Sequence, residues 1–240
     1  MEKIKLKLEI GLDVTELLGI VKYDPPLPPE LQGVARGNFP TFIPKTDEER
    51  IQNLSVAYEN WKTNPTLNWY ESEKLNGTST TYYLNDGEFG ACSRNLDLEL
   101  NEDIAIWKMA RELKLEESLR SMGKNLAVQG ELIGEGIQGN PYKLKDKQFR
   151  AFKIFDIDTQ IYYGLPMFLA TSEHALKIDT VPILNMGMQL PDTIDEILEN
   201  ANGKSVLNDK SNREGSVFNS LDGTLSFKVI SNYFLLKDER

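Results

Sequence analysis

The sequence predicts an α+β fold, an antiparallel β framework with helices set between strands. Two observations carry this: short β-type runs closed by Asn, Gly or Pro turns recur along the chain, and the few stretches of helical period never alternate with them in a βαβ rhythm. With 240 residues, 40% hydrophobic and 27% charged, the chain has the composition of a soluble globular protein and the length to bury a large core.

Residues 3–10 alternate Lys-Ile-Lys-Leu-Lys-Leu-Glu-Ile and read as a half-buried strand, followed by a short helix near Asp13–Glu16. Tyr23-Asp24-Pro25-Pro26-Leu27-Pro28-Pro29 reads as a polyproline-like linker and domain boundary. It divides a 1–24 remnant or docked strand, with a 25–32 linker, from one domain over 33–240. Phe39–Lys45 is extended, because residues preceding proline avoid the helical region. Thr46-Asp47-Glu48-Glu49 reads as a capping box opening a helix that presents Ile51, Leu54, Tyr58 and Trp61 on one face.

Strands are expected at Leu67–Glu71, Ser79–Leu84 and Gly90–Asn95, with a turn at Asn85-Asp86-Gly87. One long helix is expected over 102–121. Further strands follow at Leu126–Ile133 and Ala151–Ile157, a helix at Thr193–Ala201, and closing strands around 214–218 and 225–230.

Cys92 and His174 are the sole cysteine and histidine. An internal disulfide, a cysteine zinc site and a multi-histidine metal centre are therefore excluded, and any metal must be held by carboxylates, which points to magnesium or manganese. Both residues read as structural, as do Trp61, Trp69 and Trp107. No apolar run approaches the length of a membrane span and the start lacks a signal-peptide core, so a cytoplasmic or nuclear location is expected. A net charge of −10 argues against a nucleic-acid-coating role. A local basic surface remains: Tyr142 to Lys153 holds five basic residues and three aromatics in twelve positions, a mixture that tracks phosphates and stacks bases, or equally a solvated strand.

Lys74 lies between Glu73 and Leu75-Asn76-Gly77, a turn-forming context that suits either a nucleophile or a plain hairpin. Several other β-type runs also carry a charge within apolar sequence: Glu131, Lys153 or Asp156, Glu214 and Lys228. Single buried charges are costly, so a shared site where lysines and acids neutralise one another or meet a charged ligand is the economical reading. Two lysines, two acids and an aromatic suit a nucleoside triphosphate with its divalent metal.

Taken in order, Lys74-Leu75-Asn76-Gly77, Ser93-Arg94-Asn95, Gly130-Glu131-Leu132-Ile133-Gly134, Phe152-Lys153-Ile154-Phe155-Asp156, Glu214-Gly215-Ser216-Val217-Phe218 and Ser226-Phe227-Lys228-Val229 resemble the successive motifs of the covalent nucleotidyltransferases, the ATP-dependent ligases and mRNA capping enzymes. The resemblance covers about 33–237. It is closest to ATP-dependent RNA ligases with an OB domain ahead of the catalytic domain, which share an entry like Phe39–Arg50.

The resemblance implies an ATP-grasp-like nucleotidyltransferase domain of antiparallel sheets with flanking helices, the 1–24 segment being the end of the OB domain. It also implies ATP and Mg2+ or Mn2+, and a monomer acting on RNA with 5′-phosphate and 3′-hydroxyl ends in a nicked duplex. Lys74 would attack the α-phosphate and hold AMP, and Lys228 would clamp that phosphate. Glu131 and Glu214 would serve the metal through water, with Asn76 as a third candidate. Arg94 would bind ribose and the 5′-phosphate end, Glu73 the adenine amino group, and Phe155, or Phe152 in the alternative register, would stack on adenine. Gly77 would let the backbone turn under the nucleotide, and Lys143, Lys145, Lys147 and Arg150 would grip RNA.

Two departures stand out. Asn76 replaces the aspartate of many relatives, and Val229 and Ile230 follow Lys228 where a second lysine is frequent, the next basic residue being Lys237. The alternatives are a DNA ligase or GTP-dependent capping enzyme on the same fold, and an inactive RNA-binding domain.

Overall fold

The computed structural model describes residues 33–236; the expected 1–24 remnant, its strand and helix, and the 25–32 linker lie outside the described residues. In chain order the strands are β1 (Ala35–Asn38), β2 (Trp69–Lys74), β3 (Thr78–Asn85), β4 (Glu88–Cys92), β5 (Leu96–Leu98) and β6 (Leu126–Ile133). They continue with β7 (Gln148–Asp156), β8 (Ile161–Tyr162), β9 (Ile183–Met188), β10 (Gly215–Ser220) and β11 (Ser226–Ile230). The helices are α1 (Ser55–Lys62), α2 (Ala105–Glu112), α3 (Leu115–Met122), α4 (Leu165–Ala170), α5 (Ile194–Asn200) and α6 (Asn232–Leu235), with a single π-helical stretch at Thr171–Leu176.

The strands form two sheets, one ordered β1-β5-β4-β3-β6-β7-β8 and the other β11-β10-β2-β9. Among the described residues every pairing between two of these strands is antiparallel, which bears out the α+β expectation.

Period-two alternation decides what each face does. In β3, Tyr82 and Leu84 join a core built with α2, α3, α4 and the π-helical stretch, while Tyr83 points the other way onto Phe39 and Ile43. In the second sheet Phe218, Phe227 and Val229 pack outward with Trp69 against Tyr58 of α1 and Ile197 of α5. The Phe218 and Phe227 rings stack at 5.0 Å. Their strand neighbours Val217, Asn219, Lys228 and Ile230 face inward and line a cavity shared with the first sheet.

Three local expectations are corrected. The 102–121 helix is two helices, because Lys114 adopts φ 52° and breaks the i→i−4 ladder between α2 and α3. The turn at 75–77 is no hairpin: β2 belongs to one sheet and β3 to the other, so Leu75–Gly77 is a crossover. Gly77 is required by space, since a Cβ there would lie 2.4 Å from the Leu132 carbonyl oxygen and 2.7 Å from Ile133 Cγ2.

The capping box does not cap. A short 3-10 turn spans Ile51–Asn53 and α1 begins only at Ser55. Ile51 and Tyr58 are nonetheless buried together, with Leu54 and Trp61 packed on them, so the apolar face was read correctly and its start was not. Trp69 and Trp107 are buried, Cys92 is a buried strand residue and His174 is exposed, as expected of structural residues. Among the described residues no helix is long and apolar enough to cross a membrane.

Candidate active site

A cavity of about 570 Å³ lies between the inner faces of the two sheets. Lys74, Glu131, Lys153, Glu214 and Lys228 all line it, so the charges that seemed out of place in separate strands converge. Lys74 ends β2, opposite Gly215 in the ladder to β10. This register brings its Nζ to 2.6 Å from Glu214 Oε1.

Glu131, on β6 below the crossover, has its carboxyl pushed up to about 7. Burial is the main cause and Glu214 adds to it, opposed by Lys74, the Gly77 N–H and Arg94. A carboxyl held above its ordinary 4.5 stabilises the fold while neutral and loses that contribution as pH rises through about 7. Unliganded protein is therefore expected to resist urea better at about pH 5 than at about pH 8, with Glu131→Gln flattening the difference. Equal slopes in the two proteins would show that Glu131 is ionised throughout.

The segment 46–50, read from sequence as a helix start, is a strap over the cavity. Thr46 Oγ1 lies 2.7 Å from Ser79 Oγ on β3. Asp47 accepts from Arg94 at 2.5 Å. Glu48 accepts from Lys153 Nζ at 2.5 Å and from Ser226 Oγ at 2.5 Å, while the same ammonium donates to Ser226 at 2.9 Å and sits 4.9 Å from the Tyr162 ring centroid. The Glu49 carbonyl accepts from the Lys228 N–H at 2.8 Å. Arg50 bridges Lys228 in parallel and lines the cavity. Sequence reading missed Glu48 and Arg50 because Thr-Asp-Glu-Glu fits a capping signal that only tertiary partners overrule.

Glu73, Asn76, Gly77 and Arg94 also line the cavity. Glu73 is 1% exposed; its Oε2 accepts from the Val206 N–H at 2.8 Å, whereas Oε1 is buried without a partner. Burial raises this carboxyl as well, opposed by the neighbouring Ser205 hydroxyl, the Val206 N–H and the charge of Arg213; the Ser205 hydroxyl does not reach Oε1 in hydrogen-bonding geometry. A buried acceptor with a free lone pair is costly unless a ligand donates to it.

The expectation for Phe155 is corrected: it is 2% exposed and packed with Phe39, Ile43 and Tyr83, away from the cavity. Phe152 lines the cavity instead. The cause is a bulge, since Gln129 pairs with Lys153 and Gly130 with Ala151, leaving Phe152 as an extra residue. Leu75 and Val181 give the wall beside it an apolar character.

The 142–153 strip is not one strand. Lys143, Lys145 and Lys147 are exposed on the loop before β7, none of them lining the cavity. Arg150 is tied to Asp179 at 3.1 Å and to Gln148 at 2.7 Å. Tyr142 and Phe149 are buried and offer no stacking face. Among the described residues no group of three or more His, Cys, Asp or Glu is gathered in metal-binding geometry. Lys237 lies outside the described residues.

A family model described as RNA ligase matches residues 67–230. Among solved structures, a lysine-to-alanine mutant of Naegleria gruberi RNA ligase with ATP and Mn is similar with a TM-score of 0.80 and 42% identity, covering 97% of this chain and 69% of that one. The same ligase with PPi gives a TM-score of 0.80 and 43% identity over 97% and 69%. An aspartate-to-alanine mutant, apo, gives 0.81 and 42% over 97% and 68%. No curated protein matches. A lysine paired with a carboxylate on a strand-to-strand crossover, a partnerless buried acceptor and a match over most of the chain converge: this chain belongs to the RNA ligase family.

Proposed function

We propose that the chain is an ATP-dependent RNA ligase that adenylylates itself on Lys74, transfers the AMP to an RNA 5′-phosphate and seals that end to a 3′-hydroxyl, acting as a monomer on nicked duplexes. The observation that carries this is Lys74 Nζ at 2.6 Å from Glu214 in a cavity also lined by Lys153, Lys228, Arg50 and Arg94. An amine among cations can attack a phosphoryl group whose charge those cations hold, and pyrophosphate leaves as the N–P bond forms.

Lys228 and Arg50, joined by their bridge, take the α-phosphate and the leaving phosphates; Arg50 thereby supplies the cation that Ile230 does not. Glu73 Oε1 fits a base with an amino donor, which favours adenine over the carbonyl edge of guanine. Glu131 and Glu214 would hold a hydrated Mg2+ or Mn2+, with Asn76 a neutral third ligand, and such an ion neutralises phosphate charge. Two carboxylates without a third acid suit an ion that keeps several waters and shares phosphate oxygens. Lys143, Lys145 and Lys147 grip the RNA backbone, while Arg150, committed to Asp179, contributes less.

Incubation with α-labelled ATP and Mn2+ or Mg2+ should leave label on the denatured polypeptide, stable to alkali and released by acid; no label would overturn the reading. Replacing Lys143, Lys145 and Lys147 by glutamine should weaken nick sealing and steepen no other step. Phe152→Ala should weaken ATP binding about tenfold, since stacking is worth ~1–3 kcal/mol per base, with little effect on stability. Phe155→Ala should instead cost ~3–5 kcal/mol of stability. The reverse pattern in calorimetry and nucleotide titration would restore Phe155 as the platform.

A further inference from the structure

The crossover that carries Lys74 poses an accounting problem for the backbone. β2 ends at Lys74 and β3 begins at Thr78, so the N–H groups of the intervening residues leave one ladder before entering the next. Buried amides need partners. The Gly77 N–H lies close enough to the Glu131 carboxyl to oppose the rise in its pKa. The Asn76 N–H is taken by the phenol oxygen of Tyr142, at 2.6 Å, from a loop more than sixty residues further along the chain.

Tyr142 is 5% exposed, and its ring packs with Leu75, Ile133 and Val181, with Phe152 at the edge of the same cluster. It belongs to the loop between β6 and β7, which the structure holds from both sides. Asn140 closes it by donating to the Leu144 carbonyl at 2.8 Å and accepting from the Leu144 N–H at 3.1 Å. Asn208 donates to the Pro141 carbonyl at 2.8 Å. The phenol oxygen is thereby held at hydrogen-bonding distance from the Asn76 amide by packing on its ring and by the loop's own closure.

We propose that Tyr142 is the positioning residue for the nucleophile: by accepting the Asn76 N–H and packing on Leu75, it fixes the crossover and so sets the direction from which Lys74 meets the α-phosphate. This rests on the self-adenylylation reading above. Tyr142 touches neither nucleotide nor metal in this role. It acts through two residues of backbone, and a small misplacement of a nucleophile costs far more in rate than in binding. Removing the acceptor also leaves the half-buried Asn76 N–H without its protein partner, which favours a rearranged crossover.

Tyr142→Phe keeps the ring and removes the acceptor. In single-turnover labelling with α-labelled ATP and Mn2+, the rate of adduct formation should fall at least about tenfold while the apparent ATP affinity stays within about twofold. Sealing of chemically pre-adenylylated nicked RNA, which needs no attack by Lys74, should be retained. A general folding defect would reduce both reactions together, and that outcome overturns the proposal, as does an adduct rate within about twofold of the wild type. Hydrogen exchange gives a second measurement: the Asn76 amide should be protected in the wild type and exchange faster in Tyr142→Phe, and an unchanged rate would also overturn it. If the wild type labels and Tyr142→Phe labels equally, only this inference falls; if the wild type takes no label, the self-adenylylation reading falls with it.

Discussion

Lys74→Ala is expected to abolish covalent labelling by α-labelled ATP, a loss of at least on the order of 10³-fold, as removal of a nucleophile that acts within an assembled site generally produces. Lys74→Arg should do no better, because a guanidinium stays protonated and offers no lone pair. The cavity contains two other lysines, which makes the result informative. Lys153 is strapped between Glu48 and Ser226, and Lys228 lies on a different strand from Lys74. Should label persist in Lys74→Ala, peptide mapping would place it on one of them, and the assignment of the nucleophile would be wrong. The variant should also lose some stability, because Glu214, 16% exposed, is left without the ammonium that compensates it; a melt showing a folded protein that takes no label separates the chemical loss from the structural one.

The second large effect concerns stability. Glu48 and Lys153 are 17% and 13% exposed, and Ser226 completes a closed three-membered network with them. Removing one member of a mostly buried pair leaves the other charge without compensation, which costs ~3–5 kcal/mol in full burial. With part of each side chain reached by water, about 2–4 kcal/mol is expected for Glu48→Ala or Lys153→Ala. For a domain of this size that is a fall in Tm of roughly 5–15 °C. The double variant should lose less than the sum of the two, because neither charge is then stranded. Additive losses in thermal melts would mean that the pair contributes no coupling and the strap is held by its main chain alone.

Most strands were legible because their apolar residues alternate and their turns carry Asn and Gly. Leu126–Ile133 reads as a buried strand with one acid inside it and folds as one, buried on both faces except at the half-buried Glu131. The site was legible through its misfits, charges placed where apolar residues belong, since such residues have few reasons to be there. Three things were hidden, each for a physical reason. Thr46–Glu49 satisfies a local capping rule, and its partners on Ser79, Arg94, Lys153 and Ser226 are distant in sequence. Lys114 gives no sign of a left-handed conformation, because lysine is a good helix former. The choice between Phe152 and Phe155 depends on the phase of β7, and a strict alternation across Ala151–Phe155 assigns it wrongly.

That phase carries a further consequence. A regular strand sends neighbours to opposite sides, so it cannot present a flat ring and an ammonium from consecutive positions to one small molecule. The extra residue in β7 removes this restriction: Phe152 and Lys153 both line the cavity, while Ala151 and Ile154 on either side keep to the helix-covered core. The aromatic is thus an insertion between two segments already in step with each other. Excising it would restore an ideal strand, in which the ring proposed above as the platform for a base is the one thing lost.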